Sequence, residues 1–193
     1  MRAWTWTVIV ASSLGAGHTG LAQDTGSRWD VVLNGHAVHL NSQRRWNEDN
    51  WGLGFERELG DTSRRWIKVA LGNGFKDSMG NPSYMAGAGL KRRFTFGSRR
   101  DVYADLGVVG FMMTRQDVND NRPFPGALPA ATFGWKRVAL NLTYMPRSIV
   151  NRVTHANRYD PSMDGIVFLQ IKLDASLFGF SQQRGLLAAE NNQ

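Results

Sequence analysis

The sequence predicts an all-β protein, an eight-stranded antiparallel transmembrane β-barrel of the outer-membrane type. Three observations lead there. From residue 28 onward, apolar residues alternate with small or polar ones at period two, and turn residues cut the run into strand-length segments. The connections between segments tend to alternate between long and short, as in barrels with turns on one side of a membrane and loops on the other. Beyond residue 22 no stretch could span a bilayer as a helix, and a closed barrel is the other structure that satisfies every backbone amide in lipid.

The elements follow in order. Met1-Arg2, the apolar run Ala3 to Ala11 and the small residues of Gly20-Leu21-Ala22 read as a removed secretory signal, 1–22. The barrel domain is expected over 23–175, with a tail at 176–193 that in part extends the last strand through Phe178 or Phe180. The first strand, Arg28 to Leu40, sets Trp29, Val31, Leu33 and Ala37 on one face and Asn34 and His36 on the other. In the second, Asn50 to Leu59, Trp51, Leu53 and Phe55 oppose Gly52, Gly54, Glu56 and Glu58. In the third, Arg65 to Phe75, Ile67, Val69 and Leu71 are expected on the lipid side and Lys68, Ala70, Gly72 and Gly74 on the lumen side.

The fourth, Ser83 to Phe94, opposes Tyr84, Ala86, Ala88 and Leu90 to Met85, Gly87, Gly89 and Lys91. The fifth, Asp101 to Met113, opposes Ala104, Leu106 and Val108 to Tyr103, Asp105 and Gly107. The sixth is short, Leu128 to Trp135, and contains Pro129, which has no N–H to give a ladder. Val138 to Met145 and Met163 to Leu173 complete the set.

The composition narrows function. There is no cysteine, hence no disulfide and no thiolate metal site, and neither a metal nor a cofactor is expected. The formal net charge is +7, with basic pairs scattered at Arg44-Arg45, Arg64-Arg65, Arg92-Arg93, Arg99-Arg100 and Lys136-Arg137. No nucleic-acid motif accompanies them, so nucleic acid is not the expected ligand. Lipid phosphates would attract the same charges, and most such pairs are ordinary solvated turn residues. Gly52, Gly54, Gly72, Gly74, Gly87, Gly89 and Gly107 all fall on the expected inner face. Two readings fit: strand bending and closure, or space for one slender acyl chain.

Topology puts His36 near the end of the first strand and Asp77 and Ser78 at the end of the third, all at one rim. An imidazole, a carboxylate and a hydroxyl are the parts used for acyl transfer. Alone, a rim histidine is more often structural, and Asp-Ser in a loop is commonly a turn. His39 and His155 are competing histidines with no partner evident in the sequence.

The same residues carry a resemblance. Gly74-Phe75-Lys76-Asp77-Ser78 resembles the signature loop of the lipid A palmitoyltransferases, the PagP family. His36-Ala37 followed by Trp51-Gly52-Leu53-Gly54-Phe55, then Arg122-Pro123-Phe124-Pro125, Leu128-Pro129 and Leu142-Thr143-Tyr144-Met145-Pro146, are similar to further blocks of that family in order and spacing. The likeness covers roughly residues 30–173.

The resemblance implies transfer of a palmitoyl chain from the sn-1 position of a phospholipid donor to a hydroxyacyl chain of lipid A, in the outer membrane of a Gram-negative bacterium. The chain would act as a monomer, with its site facing the outer leaflet. His36, Asp77 and Ser78 match the catalytic residues, and Gly89 matches the floor of the acyl pocket. Pro125, Pro129 and Pro146 match the place where lipid enters sideways. Within that reading His36 is expected as general base, with Asp77 and Ser78 polarising the ester or orienting the groups, and a covalent acyl-Ser78 is the competing mechanism.

Two departures stand out. Gln23 to Ser27 is too short for the amphipathic helix that often precedes the first strand in the family, and Met79 replaces an expected aromatic. A non-catalytic surface barrel would explain the alternation and the loops, but not the inner glycines together with Phe75-Lys76-Asp77-Ser78. A lipid A deacylase would be expected to carry a His-x-Ser late in the chain, whereas Ala156 and Asn157 follow His155. A lipocalin-like soluble binder predicts fewer outward apolar residues.

Overall fold

The computed structural model describes residues 28–60, 65–98, 101–154 and 160–179; the expected leader at 1–22 and all but the start of the tail lie outside them. Eight strands form a closed antiparallel barrel in which each pairs with its neighbours in sequence and β1 closes on β8. They are β1 (Trp29–Leu40), β2 (Asp49–Leu59), β3 (Trp66–Lys76), β4 (Pro82–Phe96), β5 (Val102–Thr114), β6 (Phe124–Trp135), β7 (Val138–Pro146) and β8 (Gly165–Asp174). One helix, α1 (Arg147–Thr154), lies in the β7–β8 connection and was not expected. Phe178 ends a 3₁₀ turn after β8 and does not lengthen that strand.

The strand ends at Leu40, Lys76, Thr114 and Pro146 lie at one end of the barrel and those at Leu59, Phe96 and Trp135 at the other; the longest connection leaves from the first end and the shortest from the second. Outward positions on β2, β4 and β5 follow the expected alternation. Trp51, Leu53, Leu90, Leu106 and Val108 are all exposed, the apolar exterior that lipid contact requires.

Two strands depart from it. On β3, Ile67, Val69 and Leu71 are buried inside the barrel, while Trp66, Lys68, Gly72 and Gly74 lie on the opposite face. The inversion has a physical cause, because the lumen beside β3 is itself apolar: Leu71 packs with Val109, Phe111 and Ala130. On the outside, rings from neighbouring strands cover the bare glycines. Phe55 stands 2.9 Å from where a Gly72 Cβ would be, and Tyr84 stands 3.3 Å from that of Gly74.

On β1 the pairing register shifts between Asn34 and His36. Against β8 this β-bulge inserts one residue, Gly35, and resets the alternation. Below it Asp30, Val32 and Asn34 point inward; above it Ala37 and His39 do, and His36 points out.

The inner glycines serve close approach. A Cβ at Gly52, Gly87 or Gly107 would lie 2.1–2.2 Å from a carbonyl oxygen of the next strand. At Gly54 it would strike the Asn73 side chain, and at Gly126 the Phe111 ring. These glycines bring strands together and seat neighbouring side chains, so they do not by themselves empty the lumen.

The short-turn half of the interior is filled by charge. Lys172 Nζ lies 2.9 Å from Asp30 and 2.7 Å from Glu56, and Lys91 Nζ lies 2.8 Å from the same Glu56. Arg93 joins Glu58 at 2.6 Å and Asp105 at 2.8 Å, and Arg28 joins Asp30 at 2.8 Å. Four acids and four bases therefore neutralise one another, the only economical way to bury so many ions. Next to them runs a belt of amides: Thr132 donates to Asn141 (2.8 Å), Asn141 to Gln170 (2.7 Å), Gln170 to Asn34, and Asn34 to Asn73 (3.3 Å).

Candidate active site

The other half of the barrel holds a cavity. Its wall is apolar, with Leu71, Met85, Val109, Phe111, Leu128 and Phe168 among the lining residues. Its floor is the ionic layer, reached at Lys91, Glu56 and Lys172. From the rim at Ser83 to Lys91, the wall of β4 climbs roughly 20 Å for strands tilted by about 40°. Gly89 faces inward, one inward position above Lys91, where a Cβ would press on Val69 and Val109 at 2.9–3.0 Å. Val109 lines the cavity, so a side chain at Gly89 must crowd it.

The mouth is polar. Asp77 and Ser78 line it together with His39, Asn50 and Arg115. Asp77 follows directly on β3 and is almost wholly buried. Its Oδ1 accepts from the backbone N–H groups of Met79 and Asn81, each at 2.9 Å, a local turn that fixes the carboxylate. Its Oδ2 has no hydrogen-bond donor, and Arg115 stands 3.6 Å away.

The 77–78 turn is tied to the β1–β2 loop. Asn47 N–H donates to the Ser78 carbonyl (2.9 Å), and the Asn47 side chain donates to the Asp77 carbonyl (2.8 Å). Asn50 donates to the Lys76 carbonyl (2.7 Å), leaving its own Oδ1 buried without a donor.

Of the three residues expected to meet at the rim, the fold brings two into the cavity. His36 does not join Asp77 and Ser78 there. The Gly35 bulge turns its side chain to the outer face, 46% exposed, with Glu48 and Asp49 each 3.8 Å from a ring nitrogen. His39, three residues on, takes the inner position with its side chain 1% exposed. Its ring stacks on Trp46 at 5.1 Å, and Nδ1 lies 3.4 Å from Glu48 Oε1. Its Nε2 is buried and meets no hydrogen-bond partner. A buried polar atom without a partner costs about 1–3 kcal/mol, and the mouth holds three: His39 Nε2, Asn50 Oδ1 and Asp77 Oδ2. Asn50 Oδ1 and Asp77 Oδ2 only accept, so a ligand hydroxyl would satisfy them.

The wall is incomplete beside this cavity. β6 pairs with β5 from Phe124 to Trp135, but with β7 only from Ala130 to Trp135. Pro125 and Pro129 share one parity on the unpaired stretch and supply no N–H toward β7. Pro146 ends β7 opposite Gly165 of β8, beyond the last pair that β7 makes with β6. Helix α1 follows at once. Val150 packs on Met163, and Ile149 and Val150 line the cavity at its mouth.

Asp160, from the same long connection, fastens two loops. It accepts from Ser162 Oγ (2.6 Å), from Ser42 Oγ and from the Gln43 amide (3.0 Å). These hydrogen bonds, Ser162 first and Ser42 next, hold its carboxyl below the ordinary carboxylate range.

The chain is similar to known proteins. A relative from Methylobacillus flagellatus named lipid A acyltransferase PagP is 33% identical over 99 residues, covering 51% of this chain and 52% of its own length. One of the same name from Bordetella pertussis is 28% identical over 123 residues, covering 61% and 66%. Another from Legionella pneumophila is 31% identical over 134 residues, covering 66% and 67%. The chain thus spans about half to two thirds of the relatives that it matches. A family model described as antimicrobial peptide resistance and lipid A acylation protein PagP matches residues 28–155, the stretch that holds the bulge, the mouth and the open seam, and the chain belongs to that family.

Proposed function

We propose that this protein is an outer-membrane acyltransferase that moves a palmitoyl chain from the sn-1 position of a phospholipid to a hydroxyacyl chain of lipid A. The observation that carries the reading is an apolar cavity closed below by ion pairs and ending above at Asp77 and Ser78. A fatty tail would fill the cavity, and its ester would lie at the mouth, where polar atoms lack partners. The relatives' shared name, lipid A acyltransferase, supports the same chemistry.

The long-loop end would face the outside, putting the mouth level with the outer leaflet, where lipid A resides. Gly89 would act as the floor residue for the acyl chain, and the gap bounded by Pro125, Pro129 and Pro146 as the sideways entrance for lipid. His36, Asp77 and Ser78 make up the proposed catalytic set. Ser78 would donate to and polarise the ester from the cavity and Asp77 would orient the groups, while His36 stands on the outer wall, where the acceptor would approach.

Mass spectrometry of lipid A from cells expressing the wild type or Ser78→Ala tests the reading. The wild type should add one palmitoyl mass, and the variant should lose most of that signal at equal barrel content. A wild-type profile equal to the empty-vector control removes the acyltransferase reading.

A further inference from the structure

We propose that the outer wall of β2, β3 and β4 at the short-turn end holds a site for one anionic phospholipid, whose phosphate meets Arg57, Lys68 and Arg92. On these strands charge alternates as the faces alternate. Glu56 and Glu58 point into the lumen, and Arg57 between them is exposed outside. Lys91 points in and Arg92 out, and the inversion of β3 sets Lys68 outside as well. The acids in this half of β2 are thus on the inner side of the wall, and β3 and β4 contain none. Three cations remain on the outside.

Register brings them together. Lys68 stands opposite Leu59 and Leu90, Arg57 opposite Ala70, and Arg92 opposite Trp66. Arg57 and Arg92 are therefore the diagonal neighbours of Lys68 on one face, each roughly 7–8 Å away, within reach of a shared phosphate. Aromatic rings steady two of the three: the Arg57 guanidinium lies 5.0 Å from the Trp29 ring centre, and that of Arg92 lies 5.2 Å from Phe94 and 6.0 Å from Trp66. Among the described residues, neither Lys68 nor Arg92 has a carboxylate partner. Trp29, Trp66 and Phe94 are exposed and form part of the aromatic girdle that marks headgroup depth on a membrane barrel. Above the row the wall turns apolar, with Phe55 and Leu90 flanking the Ala70–Ala88 pair, a seat for lipid tails. Lipid A phosphates would lie at the opposite end, level with the mouth. The phosphate met here is a glycerophospholipid's, and a headgroup of net negative charge, phosphatidylglycerol, suits three cations better than a zwitterionic one.

Native mass spectrometry of the full chain, refolded in a non-ionic detergent, tests the site. Dioleoyl phosphatidylglycerol, dioleoyl phosphatidylcholine and lipid A are offered in turn at one concentration. The wild type should retain one phosphatidylglycerol in clear preference to phosphatidylcholine. Each cation removed should weaken that retention about fivefold, so Lys68→Gln combined with Arg92→Gln should weaken it about 25-fold. Arg44→Gln combined with Arg45→Gln removes the same charge from the opposite end and should keep the wild-type preference. Heat-modifiable migration checks that each variant is folded. Where the Lys68 and Arg92 pair does not fold, Lys68→Gln alone must show its fivefold loss, and full retention overturns the proposal. Equal retention of the two dioleoyl lipids by the wild type, or equal losses in the two double variants, overturns it too. A preference for lipid A that depends on Lys68 and Arg92 assigns these residues to the other leaflet and has the same consequence. Acyl transfer is not the readout, so failure of the acyltransferase reading is recognised separately.

Discussion

The two halves of the barrel solve opposite problems with the same alternating pattern. Toward the short turns, inward positions carry Asp30, Glu56, Glu58, Lys91, Arg93, Asp105 and Lys172, whose ion pairs close the lumen. Toward the long loops, inward positions carry aliphatic and aromatic groups around a cavity, and three buried polar atoms at its mouth wait for partners. One half pairs its polar groups with one another; the other leaves them open to a substrate. A ladder that is complete between β6 and β7 near Trp135 but absent near Pro125 follows the same division.

The largest effect is expected from breaking the filled half. Lys172→Met removes the cation shared by Asp30 and Glu56 and leaves two buried carboxylates with one base fewer. Unfolding of the refolded barrel in urea should show a loss of about 3–5 kcal/mol. Equal stability would mean that the charged layer does not hold the barrel together.

A smaller effect is expected at the seam. Pro129→Ala restores one N–H at the edge of the open stretch, next to the last β6–β7 pair at Ala130. Initial rates with a long-chain phospholipid should fall by several-fold, while those with a short-chain soluble ester should not. A parallel fall for both donors would move the lipid entrance elsewhere.

The smallest is expected from the loop clasp. Asp160→Asn weakens the hydrogen bonds to Ser162, Ser42 and the Gln43 amide, so limited proteolysis of the long loops should quicken by a few-fold. The sign with pH follows from the depressed carboxyl: its contribution is complete above the ordinary carboxylate range, near pH 4, and is lost as pH falls through the lower folded value. Wild type and variant should therefore differ at neutral pH and converge only in strong acid.

How much of this was legible in the sequence depends on the strand. β2, β4 and β5 each set an apolar face against a small or polar one, and in all three the apolar face lies outside. β3 pairs Ile67, Val69 and Leu71 with Lys68, Gly72 and Gly74, and the apolar face was read as the lipid face. An apolar cavity can claim that face too, and the cover for Gly72 and Gly74 comes from Phe55 and Tyr84 on other strands, which no single-strand pattern contains.

The rim placement of Asp77 and Ser78 was legible, because it follows from topology alone. The face of His36 was not, since a single inserted residue at Gly35 exchanges the faces of His36 and His39. The glycine before His36 was the available signal, as glycine within a strand often marks a bulge. Helix α1 had a signal as well, with Pro146 just ahead of Ile149 and Val150, but a long connection hid it.

The central claim, that the open half holds the transferred acyl chain, is tested most directly by the chain that Gly89→Met adds to lipid A. A side chain there has Val69 and Val109 within 3.0 Å of its first carbon and must reduce the depth of the cavity. Mass spectrometry should show the wild type adding palmitate and the variant adding a shorter acyl group. Palmitate added by both, at comparable rates and with the barrel folded, would contradict the claim.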